Sequence, residues 1–363
     1  MSGITVVQAK SKRDSRIELL RLLACFSVLV LHFKPGTFVE GQRILSRTFI
    51  TCICTDAVGT FLLISGLFFF NNQSYGKKIL AYLNTIFLPT LIYTVFIAVG
   101  YPLITGTELN MGSVLKEFAI TFTTWNPVIH NTRHLWYMFL YGMIVAAYPL
   151  LKVIKEKISD SKMFKIAFFA FVFVLFAIND LSNNRILRSE MIPVTVFIPG
   201  CLFVVAGSLL YGERHSFNGK LWVTALSLAV FLLVNTVRSV YMRNMLNADS
   251  SASHMYGWYT SAGFICAVSL VIFGLSLKPI FSNFINRLAS YTMGIYILHP
   301  WVSEIISVLG LKMWVISTFL NGKETFVQYM KFTTIYCSIV FVICAIIVMS
   351  INSLLALLKK HNP

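Results

Sequence analysis

Two ionisable side chains bracket one apolar stretch, RLLACFSVLVLH: Arg21 opens it and His32 closes it. Eleven positions at 100° each make about three full helical turns. The two side chains therefore share one helix face, about 16 Å apart along the axis. An imidazole withdrawn from water is held neutral and can take a proton, so His32 is a candidate general base toward a hydroxyl. A guanidinium on the same face suits a phosphate or pyrophosphate, and Glu18, one turn before Arg21, is placed to pair with it. A phosphorylated thioester donor such as acyl-coenzyme A fits this spacing, with an anchor at one end and a base at the other. Plainer readings stand beside these. An arginine at the inner end of a first span satisfies topology alone and can snorkel. A histidine high in that span can be packed or interfacial, although a polar ring there must face a cavity or a partner.

The elements that carry this pair come from composition. Of the 363 residues 57% are hydrophobic and 12% charged, whereas a soluble domain is nearer a quarter charged. The apolar runs are continuous rather than alternating, which points to helices and away from a β-barrel. The expected fold is all-α, a polytopic transmembrane bundle in one domain over 1–363. It has about ten spans, near 17–35, 49–70, 79–101, 134–151, 164–180, 192–211, 221–241, 257–277, 288–309 and 333–358. Pro89, Pro193 and Pro199 interrupt the third and sixth. The densest basic clusters, up to Arg21 and from Lys152 to Lys165, fall on one side, so both termini are placed in the cytoplasm. The first span reads as an uncleaved helix, since no small-residue cleavage site follows it.

The formal charge of +16 is spread over short loops beside anionic headgroups, without a basic stripe or interleaved aromatics, and nucleic acid is not an expected partner. The seven cysteines sit mostly in mid-span as small hydrophobes, and Cys52 and Cys54 have neither zinc nor redox spacing. No P-loop or dinucleotide fingerprint occurs.

Four segments in order resemble the membrane-bound acyltransferase-3 family. IELLRLLACFSVLVLH resembles its first helix, with an arginine, ten residues, then a histidine. VGTFLLISGLFF resembles its second, through Ser65 and Gly66. HLWYMFLYGMIVAAYPLL resembles its His-Leu-Trp segment, here His134, Leu135 and Trp136. SYTMGIYILHPWV resembles its late helix, here Ser290, Tyr291, Gly294, Tyr296, His299 and Pro300. The resemblance implies transfer of an acyl group, usually acetyl, from cytoplasmic coenzyme A to a hydroxyl of a cell-surface glycan or lipid-linked saccharide. It implies an integral protein of a bacterial inner or plasma membrane, with no permanently bound cofactor and acetyl-coenzyme A as co-substrate. It also implies the essential base for His32 and a donor-side role for Arg21. The chain departs in two places. Gly59 stands where many members have an acidic residue, with Asp56 one turn off. Lys77 and Lys78, the expected donor contacts ahead of Pro89, replace paired arginines.

Each remaining candidate keeps two readings. Ser65 can support an oxyanion, act as nucleophile, or with Gly66 allow close helix packing. His299-Pro300 is a kink or, with Tyr296, a second polar wall facing His32, and Glu304 is placed to orient it. His130, Arg133 and His134 cluster at the outer mouth of the fourth span. A metal there lacks a third ligand, so none is expected, and Arg133, His134 and Trp136 are taken as acceptor-side or interfacial residues. The transfer can be direct or run through an acyl-enzyme. The rival class is a transporter or flippase of a lipid-linked saccharide, weakened by the lack of an internal repeat.

Overall fold

The computed structural model describes residues 14–34, 38–39, 42–71, 73–105, 110–125, 127–129, 132–181, 192–248, 257–319 and 325–361. In chain order the helices are α1 (Ser15–Phe33), α2 (Leu45–Phe69), α3 (Tyr75–Tyr82), α4 (Leu88–Thr105), α5 (Met111–Thr124), α6 (Trp136–Ala146), α7 (Tyr148–Ser159) and α8 (Lys162–Leu181). They continue as α9 (Ile192–Gly212), α10 (Arg214–Phe217), α11 (Leu221–Ala248), α12 (Ser261–Ser276), α13 (Asn283–Ala289), α14 (Thr292–Val308), α15 (Leu311–Phe319) and α16 (Phe326–His361). One antiparallel ladder of two-residue strands, β1 (Phe38–Val39) and β2 (Gln42–Arg43), lies between α1 and α2.

Six helical stretches are long and apolar enough to cross a bilayer: Leu45–Phe69, Tyr75–Gly100, Lys162–Leu181, Thr195–Gly212, Leu221–Met245 and Phe326–Leu358. Two bent pairs raise the number to eight among the described residues. The difference from the ten expected has physical causes. The first helix carries Arg16, Glu18 and Arg21, and α12 is only 16 residues long. The expected span 134–151 breaks at Ala147, where α6 and α7 meet at 69° ahead of Pro149. After 288–309 the chain turns by 78° at Gly310, whose φ of 76° closes α14 in the left-handed conformation that glycine tolerates. Pro89 does not break the third span. A π turn at Leu83–Phe87 joins α3 to α4, and its wider spacing absorbs the proline.

The bundle closes around α2. Gly66 sits where a Cβ would lie 2.1 Å from the Val204 carbonyl oxygen, and at Gly207 one would lie 2.1 Å from that of Leu63. The backbones of α2 and α9 thus touch reciprocally, as small residues allow in membranes. The first helix lies in the seam between two apolar cores. Ile17 and Leu20 belong to one, with α2, α6, α9 and α12; Cys25, Leu29 and Val30 belong to the other, with α14 and α16. Its start is pinned: Asp14 caps it, the Ser15 hydroxyl donates to Asn286 at 2.9 Å, and Arg16 donates to the carbonyls of Leu275 and Leu277. Phe171, Phe173, Val174 and Ile178 of α8 are exposed, as a face toward lipid tails would be.

Candidate active site

Three histidines from three distant segments meet at one end of this seam. His32 comes from the last turn of α1, His134 from the 3-10 turn Arg133–Leu135 that leads into α6, and His299 from the middle of α14. Ring centroids are 4.9 Å apart for His32 and His299, 5.0 Å for His134 and His299, and 6.5 Å for His32 and His134.

The kink explains how two of the rings are held. Pro300 has no N–H, so the Tyr296 carbonyl one turn back loses its helical donor. The Nδ1–H of His299 donates to that oxygen at 2.7 Å, and the Nε2–H of His134 donates to the neighbouring Ile297 carbonyl at 3.1 Å. Carbonyls only accept, so each contact fixes a tautomer and leaves the opposite ring nitrogen as a lone-pair acceptor. In His299 that atom, Nε2, is buried and has no hydrogen-bond partner among the described residues. The Tyr296 hydroxyl donates to the His134 carbonyl, tying α14 to the turn before α6.

Burial reverses part of the sequence reading. His134 and His299 are the buried rings, at 6% and 0% exposure, whereas His32 is the exposed member of the trio. Glu304 is half-buried, and the Tyr93 ring stands 6.0 Å from that of His134.

At the other end of α1, Arg21 pairs with Glu18 at 2.6 Å, as the spacing predicts. Arg21 lines three cavities, of about 490, 280 and 200 Å³. The smallest leads along Ser65, Tyr137, Met138 and Met293 to Tyr296, whose ring is 5.6 Å from that of His134 and 5.8 Å from that of His299. Tyr296 thus stands between the smallest of these cavities and two of the histidines, and His32 lines none of the three. The Ser-Gly pair divides its roles: Gly66 packs on α9 while Ser65 faces two of the cavities.

The other candidates fall apart. Lys78 lines the cavity of about 280 Å³, but its ammonium donates to the Phe69 carbonyl at 2.6 Å and to Asn71 at 2.5 Å, and lies over the Tyr148 ring. It caps α2, with two of its three donors used; Lys77 is exposed. Arg133 is exposed, and Trp136 stacks on Trp258 at 6.4 Å and 14°. His130 lies outside the described residues. Among those described, no group of three or more His, Cys, Asp or Glu could hold a metal ion.

One polar cluster escaped the sequence reading. Asp56 is fully buried and accepts from Arg238 at 2.7 Å and from Asn235 at 3.0 Å, while Arg238 also donates to the Gly257 carbonyl at 3.1 Å. Gly59 could not carry a carboxylate, because its Cβ would lie 2.6 Å from the Phe203 ring. Arg238, an ionisable residue within Leu221–Met245, was the available signal; its partner, 182 positions earlier, was not.

A family model described as an acyltransferase domain matches residues 14–350, almost the whole chain. The chain belongs to the acyltransferase-3 family. This membrane acyltransferase is helical throughout its spans, and the match covers both ends of the constellation, Arg21 and the three histidines. No curated protein and no solved structure matches it.

Proposed function

We propose that this acyltransferase moves an acyl group, in the first instance acetyl, from acyl-coenzyme A to a hydroxyl of a cell-surface glycan or lipid-linked saccharide. The Arg21 end faces the cytoplasm, with both chain termini on that side, and the membrane is a bacterial plasma membrane. The thioester end of the donor runs along the Ser65 wall to Tyr296, and displacement of the Tyr296 ring opens the way to the histidines. His32, the accessible ring, takes the proton of the acceptor hydroxyl as its oxygen attacks the thioester carbonyl. The C–S bond then breaks, and the proton passes from His32 to the departing thiolate. His134 and His299 form the fixed wall of neutral imidazoles against which the acceptor is oriented. Arg133, exposed and adjacent in sequence to His134, is the acceptor-side residue of this scheme, and Trp136, stacked on Trp258, supports it from behind.

The observation that carries this reading is one cavity wall holding both Arg21 and Tyr296, with Tyr296 in ring contact with two histidines. Transfer is direct in this scheme. Neither the seven buried cysteines nor Ser65, one of several hydroxyl residues lining the route, serves in it as nucleophile. The test uses purified protein in lipid nanodiscs with acetyl-coenzyme A and an acceptor extract, reading free thiol and the acetyl mass gained by the glycan. His32→Ala is expected to lower turnover at least 100-fold while donor binding persists. Retained turnover removes the base role from His32. Arg21→Ala is expected to raise the donor KM about tenfold with a smaller change in kcat. Thioester-independent movement of saccharide across the bilayer would favour a transporter instead.

A further inference from the structure

The cavity of about 490 Å³ at the Arg21 end has a basic lining whose members are not equivalent. Arg16, Arg21, Arg214 and His215 face it together with Asp14 and Glu18. Arg16 is committed to structure, donating to Asp14, to Asn218 at 2.8 Å and to two carbonyls at the end of α12. Arg21 is paired with Glu18. Arg214 is different. Its Nη1 donates to the Tyr211 carbonyl at 2.9 Å, and its guanidinium lies 4.1 Å over the Tyr211 ring. The adjacent carboxylate, Glu213, turns away to Lys165 at 2.7 Å, and that bond holds the Glu213 carboxyl below its usual range. Among the described residues no carboxylate pairs with Arg214.

A half-buried guanidinium is therefore locked in orientation, with one of its five donors used on Tyr211. Beside it, the Phe68 and Tyr211 rings meet at 5.3 Å and give the cavity an aromatic wall. A rigid planar cation next to aromatic surface suits a phosphate joined to a heterocycle. We propose that this cavity binds the nucleotide end of the donor, with Arg214 and His215 on phosphate and the Phe68–Tyr211 wall against the base. The assignment rests on the coenzyme A reading above. Arg21, shared with the cavity that ends at Tyr296, then marks where the donor's flexible arm turns toward the histidines.

Binding to the detergent-purified full chain can be read as the ligand-induced rise in its unfolding temperature, with coenzyme A, dephospho-coenzyme A and pantetheine as ligands. Arg214→Gln is expected to weaken coenzyme A about tenfold and to leave pantetheine unchanged, since one charge-assisted contact is lost. Arg214→Lys should recover part of the loss, and His215→Gln should weaken coenzyme A about threefold. A loss seen with coenzyme A alone puts Arg214 on the 3′-phosphate, and a loss with both nucleotides puts it on the diphosphate. Equal weakening of coenzyme A and pantetheine, or no weakening by either variant, overturns the site. A parent chain that binds coenzyme A in this way but transfers no acyl group would leave the site standing and remove the transfer reading. A parent chain that binds no coenzyme A removes both.

Discussion

Replacing Arg238 by Met, a side chain of similar length without charge, should destabilise this protein more than almost any other single change. The guanidinium and the Asp56 carboxylate are 4% and 0% exposed, with N···O at 2.7 Å. At a charge separation near 4 Å and an effective dielectric of about 20 their attraction is about 4 kcal/mol. Removing one partner forfeits that attraction and strands a charge left with only neutral neighbours, among them the Asn235 amide at 3.0 Å. The expected cost is about 3–5 kcal/mol, which is on the order of 10 °C in melting temperature at a fixed scan rate. Asp56→Asn should cost less, because Arg238 keeps its bond to the Gly257 carbonyl. The double variant Asp56→Asn with Arg238→Met removes both charges and should regain most of the loss, since the desolvation penalty goes with them. Melting of the four proteins in one detergent, combined as a double-mutant cycle, reads the coupling directly. Single variants as stable as the parent, or a double variant as unstable as the sum of the singles, would refute the argument that this pair is an interdependent buried unit.

Two further outcomes follow from the packing. Gly66→Ala and Gly207→Ala should each cost about 1–3 kcal/mol, because either methyl falls about 1 Å short of ordinary contact with a carbonyl of the facing helix. The double variant should cost clearly less than the sum, since parting α2 from α9 accommodates both methyls; additive melting shifts would show that the two contacts are separate. Pro300→Ala restores a backbone N–H that competes with His299 for the Tyr296 carbonyl, and should lower transfer about tenfold with little change in stability. Unchanged kcat in that variant would show that the kink does not orient the ring.

The sequence by itself determined the membrane class, the helical fold and the family, because each depends on composition, continuous apolar runs and short ordered motifs. It also determined the Glu18–Arg21 pair, a contact between neighbours on one helix face. Helix breaks were harder to place: Pro89 is absorbed by a π turn, while the chain bends sharply ahead of Pro149 and at Gly310, according to the packing around each site. Only the tertiary structure decided that His134 and His299 are the buried rings and His32 the open one. Exposure depends on what the other helices cover, and one helix face cannot report it. The Asp56–Arg238 pair and the cavity at Arg214 were equally illegible, since each joins segments whose separation in the chain carries no periodic signal. Local spacing fixes which groups share a face. Which faces meet is settled by close packing of the whole bundle, where the small residues Gly66 and Gly207 set how near two helices come.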